Sequence, residues 1–335
     1  MRDFRLRTDL TRSVVKGYAL PLGIEASEME PPVQGYTLAY NEAEEDEPDS
    51  YAFHVVVSHE RLRAVIRAAF DLLPDEVVPI VEIGSRDAYR AVDVFLGEEA
   101  VSRAHFLAVW HAFESIILED ASLGVGANSE EPFIEVFVDS WKGVAIHVPI
   151  DMRDRVEEVL HGLGLDEVPE TWADDPESDP LPGTAIRDVL ELVDEQSPDI
   201  DELLLQLREL WGLELNVDPE TNLDEAGRNL GLTLWHAVVV AESADGDPDR
   251  GAYISIWASA SSMTEMEELI EHAMEECPDW SFQSVYSLDR VAFDERPEPL
   301  VDLPPRSREP KVHLVEVDSW GEPPRQGRGK GAARG

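Results

Sequence analysis

The stretch 133–139 alternates strictly between apolar and polar or aromatic residues, and it constrains the fold more than any other part of the chain. Successive side chains of a β-strand point to opposite faces. Ile134, Val136 and Val138 therefore share one face, and Phe133, Glu135, Phe137, Asp139 and Trp141 share the other. Such a strand needs a core on one side and a polar surface on the other. A second apolar run, 144–148, comes at hairpin distance. We read Trp141-Lys142-Gly143 as a three-residue loop with Gly143 in the left-handed position. This register sets Phe137 opposite His147 and leaves Glu135, Asp139 and His147 on one face. A two-residue loop would turn His147 to the other side.

The rest of the chain supplies partners for such a sheet. Strands are expected at 51–57, 77–83 and 91–96. Leu62, Val65, Ile66, Ala69 and Phe70 recur at helical spacing behind Ser58. Phe106, Trp110, Phe113 and Ile117 do so behind Ser102, so both serines read as N-caps. Val156, Val159, Leu160 and Leu163 mark a third helix. The order implies an α+β domain over 51–164, an antiparallel-rich sandwich with helices on one face, built around a ferredoxin-like unit.

Residues 1–50 read as an irregular arm, with Pro31-Pro32 and an acid run at 42–49. Residues 165–184 read as a linker, because the run from Asp166 to Pro180 holds seven acids and three prolines and cannot build a core. Helices at 185–195, 201–211 and 263–277 and strands at 232–241, 252–259, 282–286 and 290–294 then form a second α+β domain over 185–296. Residues 297–335 read as a Pro-rich, disordered tail that carries Arg325, Arg328, Lys330 and Arg334 and no acid after Pro323. Val138-Asp-Ser-Trp141 recurs as Val317-Asp-Ser-Trp320, either a true repeat or a chance match in a biased composition.

Charge narrows the function classes. Acids outnumber Lys and Arg by 71 to 27, a net charge of −44. Folded domains of that charge repel a phosphate backbone and an anionic membrane, which excludes nucleic acid and membrane as partners. Lys16, Lys142, Lys311 and Lys330 are the only lysines. An acid-rich, lysine-poor surface suits concentrated salt, where counterions screen self-repulsion. No run approaches 18 apolar residues, and Lys16 interrupts the apolar character of residues 1–23, so a soluble, cytoplasmic protein is expected. Cys277 is the single cysteine, which excludes an internal disulfide and a cysteine-based zinc site.

No phosphate-binding loop, nucleophile elbow or zinc-protease motif occurs, and no cofactor is indicated. Gly124-Val-Gly126 lacks a third glycine. Asp245, Asp247 and Asp249 have calcium-loop spacing, but Arg250 and Ile256 stand where the loop needs glycine and a bidentate acid. His236, His272 and Cys277 read as packing or solvated helix positions. Glu135, Asp139 and His147 are the candidates for acid–base or metal-assisted chemistry. Arg86, Asp87, Asn128, Glu130, Trp141 and Lys142 are the candidate ligand contacts, because loops at strand ends commonly carry sites. The missing catalytic signature favours a non-enzymatic binding or regulatory interaction module, with a basic protein partner or self-association. The alternative is a metal-assisted hydrolase using the hairpin cluster, with Arg86 as an anion contact.

Overall fold

The computed structural model describes residues 4–42, 49–172, 183–193, 197–303 and 307–321. It is an α+β protein with antiparallel sheets, and by its contacts the chain divides into two compact units. The first comprises Met1–Gly84 and Val92–Asn216, the second Ser85–Ala91 and Val217–Gly335.

In the first unit the strands are β1 (Val14–Val15), β2 (Tyr18–Ala19), β3 (Ile24–Ala26), β4 (Gly35–Asn41), β5 (Ser50–Val56), β6 (Glu76–Gly84), β7 (Val92–Gly97), β8 (Val101–Ser102), β9 (Leu123–Glu130), β10 (Phe133–Val138), β11 (Val144–Pro149), β12 (Thr184–Ile186) and β13 (Leu213–Leu215). The helices are α1 (His59–Phe70), α2 (Arg103–Glu119), α3 (Arg153–Gly162) and α4 (Ile200–Trp211). Nine strands form one sheet in the order β13-β7-β6-β9-β10-β11-β5-β4, with β8 joined to β6. The expected ferredoxin-like unit is thereby spread apart, since β9, β10 and β11 lie between β5 and β6.

Alternation decides which face is covered. Val81, Val125, Val136, Val138, Ile146 and Phe53 are buried with the apolar stripes of all four helices. Aromatic rings knit the helices together: Phe70 meets Trp110 edge-on at 4.7 Å, and Phe106 stacks on Trp211 at 5.3 Å. Each such ring buries apolar surface worth about 2–3 kcal/mol, and its edge-to-face partners add to that. Ser102 caps α2 by accepting the His105 N–H, as its position implied. Ser58 does not cap α1. Its hydroxyl accepts the Ala19 N–H and turns to the Glu60 carboxylate, which ties β2 to the start of the helix.

The second unit has four strands, β14 (Thr233–Ser243), β15 (Gly251–Ala260), β16 (Trp280–Arg290) and β17 (Lys311–Trp320), in the order β16-β14-β15-β17. Helix α5 (Met263–Glu275) packs Met266, Ile270 and Ala273 against Ala237, Val239, Ile254 and Ile256. Residues 85–91 belong to this unit through a buried ion pair. Arg290 Nε lies 2.8 Å from Asp87 Oδ2, its Nη1 donates to Asn222 Oδ1 at 3.0 Å, and both side chains of the pair are buried.

Several sequence expectations are corrected by this arrangement. The arm at 1–50 is not irregular: β4 is an edge strand of the large sheet, and Tyr18, Leu20 and Ile24 are buried. The described start of the expected linker is packed, with Leu165 buried and Val168 N–H donating to Tyr36 O at 2.8 Å; residues 173–182 lie outside the described residues. Of the segment 185–195, the described residues 185–193 are not helical, since β12 pairs with β3 there, and residues 194 and 195 lie outside the described residues; α4 and β13 belong to the first unit. Leu203, Leu207 and Trp211 complete the core of that unit, which moves the boundary to 216–217. The expected strand at 282–286 lies within β16, whereas the one expected at 290–294 is not formed: β16 ends at Arg290 and a 3-10 turn follows at Phe293–Glu295. Part of the expected disordered tail is β17, and the basic tail from Pro323 lies outside the described residues. Among the described residues no helix is long and apolar enough to cross a membrane.

Candidate functional site

The hairpin β10–β11 pairs Val138 with Val144, Phe137 with Ala145 and Glu135 with His147. The loop is therefore Ser140–Lys142 rather than 141–143. Lys142, not Gly143, takes the left-handed conformation, with φ +71°. The register differs from the expected one by two residues, so the face is kept and the partner changes. Glu135 stands directly across from His147 on one side and Asn128 on the other.

Glu135, Phe137 and His147 lie on the sheet face opposite the helices, together with Glu82 and His54, which sequence reasoning missed. Burial raises the Glu135 carboxyl above its usual range, against a hydrogen bond from Asn128. Burial raises Glu82 as well, and the carboxylates of Glu135 and Asp139 push it further. Burial, then the neighbouring His54, lowers His147 below the usual histidine range. Phe137 accounts for Gly124-Val-Gly126. A Cβ on Gly126 would lie 2.8 Å from the Phe137 ring and 2.3 Å from the Val136 carbonyl, so the glycines let the ring lie on the sheet.

Asp139 and Lys142 serve the loop. Asp139 Oδ1 accepts the Gly143 N–H at 2.9 Å, and burial pushes its carboxyl up to about 6. Lys142 is only 3% exposed, donates from Nζ to Leu123 O at 2.9 Å, and is pushed down to about 8 by burial. Trp141 meets Trp172 edge-on at 6.5 Å. Glu130 is exposed at the end of β9. The structure thus leaves only Glu135 and His147, two of the expected trio, clear of loop duty. Among the described residues no group of three or more His, Cys, Asp or Glu is arranged to hold a metal ion. Arg86 and Asp87 belong to the other unit, where Asp87 is consumed by Arg290 and Arg86 is exposed.

The second unit presents a different face. On the side of its sheet away from α5, three cross-strand rows can be read from the register. The first is Ser281–Glu242–Gly251–Trp320, the second Ser284–Val240–Tyr253–Asp318, the third Ser287–Val238–Ser255–Glu316. Tyr253 packs against Tyr286 at 5.7 Å and Trp320 at 5.0 Å. The Trp320 ring lies over Gly251, where a Cβ would come within 2.1 Å of it. Tyr253 is 36% and Trp320 42% exposed. The rows hold three carboxylates, an aromatic cluster and no Lys or Arg. The signal was the alternation of Ala252, Ile254 and Ile256 with Tyr253, Ser255 and Trp257, whose second set faces away from the core.

The Asp245–Asp249 segment is the β14–β15 turn. Asp245 accepts the Asp247 N–H and pairs with Arg250 at 3.0 Å, and Asp247 accepts the Asp249 N–H. A scan against protein-family models found no match, and neither did searches of curated proteins and of solved structures.

Proposed function

We propose that the chain is a binding protein whose second unit takes up an Arg- and Lys-rich segment of a protein partner on the sheet face opposite α5. The observation that carries this is the combination of Tyr253, Tyr286 and Trp320 with Glu242, Asp318 and Glu316 on three adjacent rows free of basic residues. Cationic side chains gain from both components. A guanidinium or ammonium over an exposed ring gains about 0.5–1 kcal/mol, and a carboxylate beside it adds a charge-assisted hydrogen bond. Arginine suits such a surface best, since its planar head stacks and pairs at once. The net charge of −44 steers a basic partner towards the chain and repels acidic competitors.

The test is a titration of the full chain with a short Arg/Lys-rich peptide, read by tryptophan fluorescence. Saturable binding is expected, weakened about tenfold by Trp320→Ala or Asp318→Asn and weakened further by raised salt. Affinity unchanged in both variants would overturn the reading. So would a homodimer that uses this face and excludes the peptide.

A further inference from the structure

The second unit also contains a pocket of opposite character. Thr233, Leu234, Ser259, Arg296, Leu303 and His313 border a cavity of about 30 Å³. That is room for two waters or one carboxylate group. Its described lining contains a guanidinium, an imidazole and the three hydroxyls of Thr233, Ser259 and Ser307, and no acid, on a chain where acids outnumber bases by 71 to 27.

The polar groups are already oriented. Ser259 Oγ and His313 Nε2 are 2.8 Å apart. Thr233 Oγ1 accepts a hydrogen bond from Asn222 Nδ2 at 2.9 Å, so its own proton is left to donate elsewhere. Arg296 Nη1 donates to Leu303 O at 2.8 Å, and its guanidinium lies 4.5 Å over the Phe293 ring, which fixes the plane of the head. Burial, then Lys311 and Arg296, hold His313 below the usual histidine range, which places positive potential at the pocket.

We propose that this pocket binds a small carboxylate of acetate size. Arg296 supplies the charge and Thr233 a hydroxyl donor. His313 donates its Nε2 proton to Ser259 Oγ, which turns the serine hydroxyl proton towards the ligand. An anion seated there offsets the field of Arg296 and Lys311, so His313 gains basicity as it binds.

The experiment titrates the full chain with sodium acetate at constant ionic strength and follows histidine C2–H signals by NMR. The His313 signal is assigned by its loss in His313→Gln. A saturable shift of that signal is expected, with a His313 pKa raised by about half a unit. Thr233→Val should weaken acetate about tenfold, and Arg296→Gln should abolish the shift. Arg296→Lys, which keeps the charge, should retain part of it. No saturable shift overturns the proposal. So does an equal response to chloride, or an unchanged affinity in Thr233→Val with the other histidine signals intact.

Discussion

Val-Asp-Ser-Trp occurs twice in this chain, and the two copies are used in opposite ways. In the first, the valine closes strand β10, Asp139 is drawn inside to hold the Gly143 N–H, and Trp141 packs on Trp172. In the second, all four residues lie along edge strand β17, and Asp318 and Trp320 face solvent. The local chain context decides the difference. Lys142-Gly143 permits a turn at a positive φ and a return strand, whereas the second copy continues a ladder already set by β15. A tetrapeptide therefore carries no fixed exposure; the ladder or turn it joins assigns it.

A third carboxylate, Asp87, has a fate unlike either aspartate of the repeated tetrapeptide. Asp87 is buried at 3% exposure and, unlike Asp139, is paired with Arg290. Asp87→Ala should destabilise the second unit by about 3–5 kcal/mol in urea unfolding, because it strands a buried guanidinium. Replacing both partners, as Asp87→Leu with Arg290→Met, should restore most of that loss. Asp318→Ala should stay within about 0.5 kcal/mol of the parent.

The next effect is read in pH. Folding raises the Asp139 carboxyl from 3.8 to about 6, so between these values the folded state holds more protons than the unfolded one. Stability from this group falls as pH rises through that window, by up to about 3 kcal/mol, and Asp139→Asn should remove the slope. Lys142 has the reverse sign. Its pKa is lowered from 10.5 to about 8, the folded state holds fewer protons there, and stability rises with pH across that range. Parallel unfolding curves of parent and Asp139→Asn from acid to neutral pH would break the contrast between the two aspartates.

The tryptophans differ less. Trp141→Ala should cost about 3 kcal/mol, whereas Trp320→Ala should cost under about 1 kcal/mol and show its effect in peptide binding. A melting temperature lowered equally by both would show that the exposed ring is structural. Salt gives the smallest effect. Exposed carboxylates such as Asp318 are screened and buried Asp139 is not, so KCl should raise the melting temperature by a few degrees in parent and Asp139→Asn alike. A melting temperature flat from about 0.1 M upward would remove salt adaptation as the reason for the acidity.

Element type was legible wherever alternation or helical spacing was strong. The stripe Phe106, Trp110, Phe113 and Ile117 is buried as read, and so are Ile134, Val136 and Val138. The hairpin register was not, because Lys142 and Gly143 compete for the left-handed position and only the packing of Lys142 against Leu123 O decides between them. Strand β4 was hidden because Gly35–Asn41 is an edge strand whose ladder partner, β5, lies beyond an acidic segment. Of the candidate residues, the Glu135–His147 face came from alternation together with a three-residue loop. Glu82 and His54 join it only through long-range pairing, which no local pattern announces.

The membership of Ser85–Ala91 in the second unit also changes how the molecule can be divided. A single cut near residue 216 yields two polypeptides but not two intact units, since the acid that neutralises Arg290 stays on the upstream piece. A fragment starting at 217 would carry a desolvated cation with no counterion, and its failure to fold would report the missing seven residues rather than any weakness of the four-stranded sheet. Shuffling of this half into another protein would need two insertion points instead of one, a barrier to its spread as an independent module.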